Sequence, residues 1–322
     1  MRIFITCPNI NSHHGGIRVI LEWANRLQDF GHEVIVYDQN KHLKCTWFDL
    51  KARVVNNTYL LSKCDCLIVT SPHAYNLLQS QFHGKRFVFL QMMEDMFNPK
   101  RTDFNNKCKV LYNAPYPLIS ISQWNMRDLV QKYKRRAETH YVGNGVNLND
   151  FPISRKPKSG KVILLESPEP TNWTKDVDKL AIRVAERLLA EGYIIKGYGL
   201  KVPKEKIFTE FVQSPDLKTL NRLYEEATIL LKATKYDARS TAPMEAMTKG
   251  TVTVRGIIEG DDDLNEQNSY KTDYSYDKVL DSALFALNNK SDLEDKARYC
   301  KNYVQTYTWD YWMNQINEIL CN

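Results

Sequence analysis

Short apolar runs alternate with stretches of helical spacing along the first half of the chain. Arg2 to Cys7 reads as a buried strand. In the segment Ile17 to Phe30 that follows, Ile17, Ile20, Leu21, Ala24 and Leu27 recur at the spacing of one helix face. After a turn at Gly31-His32, the runs Glu33 to Tyr37, Cys66 to Thr70 and Arg86 to Leu90 predict three more strands, with helical patterns between several of them. Ile119 to Ser122 predicts another short strand, and Gln123 to Tyr133 a helix for which Ser122 is the candidate N-cap. Strands and helices in alternation imply a parallel sheet covered on both faces.

The stretch Pro152 to Gly160 combines prolines, charge and glycine, as linkers between domains do. Beyond it the pattern restarts. Lys161 to Leu165, Tyr193 to Gly197, Ile229 to Ala233 and Thr251 to Val254 predict strands. Val177 to Ala190, Leu217 to Glu226 and a helix opening at Pro243 and closed by Gly250 lie between them. The final segment, Trp309 to Leu320, places Trp309, Trp312, Met313, Ile316 and Leu320 on one face. The expected architecture is α/β, with two Rossmann-like domains over residues 1–153 and 154–305 and a C-terminal helix within 306–322 packing back on the first domain. Ligands of open α/β sheets bind beyond the carboxyl ends of the strands. A cleft between two such domains is therefore the expected site, and the strand-to-helix turns are where its residues should be sought.

Composition agrees with a folded chain: of 322 residues, 43% are hydrophobic and 25% charged, which excludes disordered and fibrous classes. No apolar run approaches the roughly 20 residues that span a bilayer, and Met1 to Pro8 lacks the pattern of a secretory signal, so a cytoplasmic location is expected. Seven scattered cysteines, an odd number, point to reduced thiols. Cys64-Asp65-Cys66 opens the run Leu67-Ile68-Val69 and reads as a strand start rather than a metal clip. The charge is uneven: residues 1–150 carry a net +7 and the remainder a net −1. That bias favours an anionic partner for the first domain, whether nucleic acid, phosphorylated lipid or membrane surface.

Two turns carry candidate chemistry. His13-His14-Gly15-Gly16 follows the first strand and precedes a helix, so the glycines either admit an anion to the helix N-terminus or serve a tight turn. In the second domain, Tyr236 to Gly250 sets a carboxylate at Asp237 and another at Glu245, the latter expected in the first turn of a helix. There it can accept from sugar hydroxyls while the free N–H groups of the helix end, near Ser240 and Thr241, cradle phosphate. Asp261-Asp262-Asp263 reads as a solvated loop rather than a metal site.

These residues resemble the retaining glycosyltransferases of family 4, which have the GT-B fold. The family's E-x7-E signature stands here as Asp237 to Val254. The other landmarks follow in order: Gly15-Gly16, the GHEVIVY segment, Tyr141 to Asn147 with Phe151, and the C-terminal tryptophan helix. The resemblance implies a nucleotide-diphosphate-sugar donor and no cofactor or bound metal. It further implies that Glu245 holds the donor ribose and that Asp237, shorter by one methylene than the family's Glu, lies by the donor sugar. Of the family's diphosphate-binding pair, Lys175 fits the lysine. The arginine is missing near Glu166-Ser167, and Arg239 is its candidate replacement. Gln91 and Glu94 match the family's Q-x-x-E turn and either orient the acceptor hydroxyl or cap the turn. His13, His14 and His73 are further candidates for the acceptor side or are plain surface histidines. Retention in this family proceeds by front-face attack, with the leaving phosphate helping to take the acceptor proton.

The expected activity is transfer of a sugar to an acceptor held by the basic first domain. That acceptor is either a glycan or lipid-linked acceptor at a membrane surface or a hydroxymethylated base of phage DNA. Lys132-Tyr133-Lys134-Arg135-Arg136 is a docking strip for phosphates or a helix-capping cluster. No obligate protein partner is evident. A nucleotide-sugar-binding protein without catalysis is the alternative, suggested by the missing arginine and by Asp237.

Overall fold

The computed structural model describes residues 1–97, 100–158, 160–166 and 179–322. The chain folds into two compact units, residues 1–144 with 310–322, and residues 145–309.

The first unit runs β1 (Arg2–Cys7), α1 (Gly15–Asp29), β2 (Glu33–Asp38), β3 (Arg53–Val55), β4 (Cys66–Val69), β5 (Lys85–Leu90), α2 (Thr102–Tyr112), β6 (Leu118–Ser120), α3 (Gln123–Gln131) and β7 (Thr139–Tyr141). Its seven strands are all parallel, in the order β3-β2-β1-β4-β5-β6-β7. Ile3, Phe4, Ile5, Leu67, Ile68 and Val69 are buried on both faces of the central strands, which is why these segments are continuously apolar. α1 turns its predicted apolar face to the sheet, and the Trp23 ring lies 3.9 Å from that of Phe89. Ser122 caps α3 by accepting from the Trp124 N–H at 3.2 Å. The edge strands β3 and β7, three residues each, are too short for periodicity to register.

The second unit runs β8 (Val162–Glu166), α4 (Leu180–Ala190), β9 (Ile194–Gly199), β10 (Glu210–Gln213), α5 (Leu217–Glu226), β11 (Ile229–Asp237), α6 (Thr241–Thr248), β12 (Val252–Gly260), β13 (Ser269–Asp273), α7 (Tyr276–Asn288) and α8 (Lys290–Thr306). Its six strands are again all parallel, in the order β10-β9-β8-β11-β12-β13. In each sheet the strand order reverses beside its first strand, at β1/β4 and at β8/β11, the switch point of a doubly wound fold. α5 has the expected bounds and begins at Asp216, whose carboxylate accepts from Thr219 N–H at 2.7 Å. β11 and β12 run well past their apolar stretches. Their ladder continues through Thr234↔Ile257, Tyr236↔Glu259 and Asp237↔Gly260, so Asp237 ends a strand rather than lying in a loop. Gly260, at φ +113°, makes this closure possible, since a Cβ there would stand 1.6 Å from the Asp237 carbonyl oxygen.

The last helix, α9 (Trp309–Cys321), lies mostly in the first unit. Arg26 binds Asp310 at 2.6 Å, His32 meets Asn317 at 2.7 Å, and Lys85 donates to the carbonyls of Leu320 and Cys321 at 3.2 and 2.9 Å. The chain passes between these compact units at 144/145 and 309/310. Residues 152–158 belong to the second unit because its helices take up their polar groups. Ser154 N–H donates to Thr248 O at 2.9 Å, Ser154 Oγ to Glu225 at 2.5 Å, and Lys158 Nζ to the Tyr224 and Glu225 carbonyls at 2.8 Å each. Among the described residues no helix is long and apolar enough to cross a membrane. All seven cysteines are free thiols, six of them buried, and Cys66 opens β4 as its pattern implied.

Candidate functional site

At the carboxyl edge of the second sheet, β8, β11 and β12 end beside the start of α6. Lys232, in β11, is 7% exposed, and its ammonium donates to Glu166 at the end of β8 and to Ser240 Oγ at 2.7 Å. Asp237 Oδ2 lies 3.7 Å from the same ammonium and 3.2 Å from Arg255, which is wholly buried and also binds Asp261 at 2.5 Å. Burial opposes the Lys232 charge, but Glu166 and Asp237 outweigh it and hold the ammonium above its usual range. A buried cation without such partners would be prohibitively costly, so these carboxylates are what allow Lys232 and Arg255 to sit at the sheet edge.

The expected residues fall into this frame as follows. Asp237 is 2% exposed and bound to Arg255. Arg239, expected to face a diphosphate, is 3% exposed and paired with Asp263. The Asp261-Asp262-Asp263 run is correspondingly not a solvated loop, because Asp261 and Asp263 are the counter-ions of two buried arginines. Ser240 is the N-cap of α6 and Thr241 its first residue. Glu245 stands in the second turn of α6 rather than the first, because the helix begins two residues earlier than its apolar pattern. Pro243 does not stop it there, since a first-turn N–H has no intrahelical acceptor to lose. The Glu245 side chain accepts from the Tyr224 hydroxyl at 3.1 Å, and Tyr224 in turn meets the Tyr198 hydroxyl at 2.8 Å. Lys175 lies outside the described residues.

In the first unit the candidates follow the strands β1, β4 and β5 at one edge of one sheet. Gly15 and Gly16 open α1, and His14 is its N-cap. Gln91 Nε2 donates to Gly16 O at 2.9 Å, and a Cβ on Gly16 would come within 3.1 Å of Gln91 Oε1, so this glycine makes room for Gln91. His13 stacks on Trp47, with centroids 4.7 Å apart, and His73 tilts against Phe104 at 5.3 Å. Partial burial, with the cations Lys107 and Arg101, holds the His73 imidazole below its usual range. Glu94 opens a 3-10 turn; burial, with Asp95 beside it, pushes its carboxyl up to about 7. Asp95 accepts from Tyr112 Oη at 3.1 Å and from Tyr133 Oη.

The basic strip is divided by the fold. Arg135 is 6% exposed and donates to the carbonyls of Tyr112, Ala114, Tyr116 and Glu138, while Lys132 binds Asp128 at 2.6 Å. Lys134 and Arg136 remain on the surface.

No family model matches the sequence, and no curated protein matches it. Solved structures do match in shape. Sucrose-phosphate synthase from Thermosynechococcus elongatus superposes with a TM-score of 0.80 over 99% of this chain and 98% of its own, at 10% identity. Anabaena HepE in complex with UDP-glucose gives 0.77 over 100% and 99%, at 14% identity. An alpha-glucosyltransferase in complex with UDP and a 13-mer DNA containing an HMU base gives 0.67 over 100% of both chains, at 12% identity. The fold is GT-B. Within this GT-B chain the sequence had pointed to Glu245 and Asp237 but not to Lys232, Arg255, Tyr198 or Tyr224. One signal was available, since Lys232 and Arg255 interrupt the runs Ile229-Leu230-Leu231 and Val252-Thr253-Val254, where a charge must find a partner.

Proposed function

We propose that the chain is a retaining glycosyltransferase that moves a sugar from a nucleotide-diphosphate sugar to an acceptor hydroxyl. The observation that carries the proposal is the Glu245 carboxylate, 8% exposed and held by Tyr224 on a helix that starts at the carboxyl edge of the second GT-B sheet. A fixed carboxylate there suits the vicinal hydroxyls of a ribose. Support comes from fold neighbours described with UDP-glucose and with UDP. In the proposed step the bond from the sugar's anomeric carbon to the diphosphate oxygen breaks as the acceptor oxygen bonds the same face. The acceptor proton passes to the departing phosphate oxygen. The negative charge that develops is met by side-chain cations, Lys175 among them, and no cofactor enters the scheme.

The acceptor in this scheme is anionic and is held by the first unit, in keeping with the net +7 of residues 1–150. A hydroxymethylated DNA base and a lipid-linked glycan both fit. The neighbour bound to HMU-containing DNA supports the first. Turnover is tested with UDP-, GDP- and ADP-sugars, offering hydroxymethylated duplex DNA and lipid-linked glycans in parallel. One donor should be consumed with retention at the anomeric carbon, and Glu245→Ala should abolish that turnover at donor concentrations below KM. Normal transfer by this variant would remove the donor assignment. A donor bound but never consumed would instead favour a nucleotide-sugar-binding protein.

A further inference from the structure

Beneath α6, three elements combine to hold one carboxylate. Tyr224 on α5 is wholly buried, and its hydroxyl lies between Glu245 Oε2 on α6 at 3.1 Å and the Tyr198 hydroxyl on β9 at 2.8 Å. The Tyr224 hydroxyl donates to Glu245, so its single proton points there. Tyr224 must then accept from Tyr198, and the chain has one direction. Burial raises both phenols well above their usual range, so both keep their protons. The middle residue is itself braced. Its carbonyl accepts from Lys158 Nζ at 2.8 Å and Thr251 Oγ1 at 2.6 Å, and its ring packs edge-on against Tyr198 and tilted against Phe151. A surface glutamate samples many rotamers, whereas this one meets a donor fixed in direction by backbone, ring and a second hydroxyl. Hydrogen bonds in such a chain polarise one another, so the outer tyrosine strengthens the inner bond without touching the carboxylate.

We propose that Tyr224, backed by Tyr198, is a positioning residue that sets the orientation of the Glu245 carboxylate for the ribose diol of the nucleotide donor. This rests on the assignment of Glu245 to that ribose. Neither tyrosine touches substrate; their effect is to remove the reorientation that Glu245 would otherwise undergo when the donor binds. Two consequences follow. The loss should appear in donor affinity rather than in the chemical step, because the ribose is remote from the reacting carbon. The two tyrosines should also fail to act additively, because Tyr198 acts only through Tyr224.

The test uses the full chain and four variants, Tyr224→Phe, Tyr198→Phe, the double variant and Glu245→Ala. Binding of UDP, GDP and ADP is measured by calorimetry, together with the 2′-deoxy form of whichever binds best. Tyr224→Phe keeps the ring and should weaken that nucleotide about tenfold, with kcat nearly unchanged. It should also shrink the preference for ribose over deoxyribose. Tyr198→Phe should show the same changes more weakly, and the double variant should match Tyr224→Phe. Unchanged affinity and ribose preference in both single variants, with only Tm lowered, would overturn the positioning role, as would losses that multiply in the double variant. Should Tyr224→Phe not fold, Tyr198→Phe decides by its ribose preference. If Glu245→Ala itself leaves nucleotide binding unchanged, or no nucleotide binds, the donor assignment fails. If Glu245→Ala weakens binding and the tyrosine variants do not, the tyrosine proposal alone fails.

Discussion

Asp237 and Arg255 meet at 3.2 Å with side chains 2% and 0% exposed, and burial of that kind decides what each can be asked to do. Without Asp237, Arg255 keeps Asp261 and Lys232 keeps Glu166, so what is lost is a buried charge-assisted hydrogen bond, worth about 1.5–3 kcal/mol. Asp237→Ala is therefore expected to lower stability by that amount in urea unfolding. Had the side chain only touched sugar, the change would be confined to KM. Glu94 presents the opposite case. Its carboxyl is pushed up to about 7 by burial and Asp95, so between about pH 4.5 and 7 the folded chain holds a proton that the unfolded chain has released. Stability from this group is accordingly full below about pH 4.5 and is lost as pH rises through 7. Glu94→Gln should be more stable than the parent by about 1–3 kcal/mol at pH 8, and the gap should narrow at pH 5. An equal gap at both values would mean the carboxyl titrates like an exposed one. Glu245 stood out in the sequence because a motif marks it, although its turn of α6 did not. Tyr224, Tyr198 and Lys232 were not, since a residue's partners come from other elements and leave no local pattern.

Elements were legible in proportion to their length and to how evenly they bury one face. α1 and the central strands of both sheets were foreseen because each presents a full apolar face or run. The polar ends of β11 and β12 were not, because backbone pairing carries them beyond the apolar stretch. The stretch 152–158 shows the converse: prolines and charge mark a loop correctly but do not say to which unit it is bound. Arg135 shows how a residue that looks like surface charge can join elements. Its guanidinium gathers carbonyls from the end of α2, the approach to β6 and the approach to β7, and burial lowers its pKa to about 10. Arg135→Met should leave those carbonyls short of donors and cost about 3 kcal/mol. A thermal-melt shift well under 2 °C would show that water replaces the guanidinium.

At the scale of the whole molecule, the alternation of strand and helix was enough to indicate two doubly wound units, since that pattern admits few other layer arrangements. The acceptor was less legible, because an excess of charge is a scalar and says nothing of where the cations stand. The structure removes Arg135 from the surface, and the exposed Lys132 already binds Asp128, which leaves Lys134 and Arg136 as the exposed cations to test in that strip. If the first unit binds DNA through phosphates, each neutralised phosphate contributes a slope of about −0.9 to log affinity against log salt. Gel shifts on hydroxymethylated duplex should then weaken at least about tenfold between 50 and 200 mM salt. Lys134→Glu with Arg136→Glu should flatten that slope without altering donor binding. Lys134 already holds φ +56°, so the exchange leaves its backbone cost nearly the same. Flotation with anionic liposomes separates the other acceptor. Vesicle binding that is lost in the same double variant, with no gel shift in the parent, would move the acceptor from DNA to the membrane surface. Retention of the full salt slope by the double variant would show that the basic surface in use lies elsewhere on the first unit.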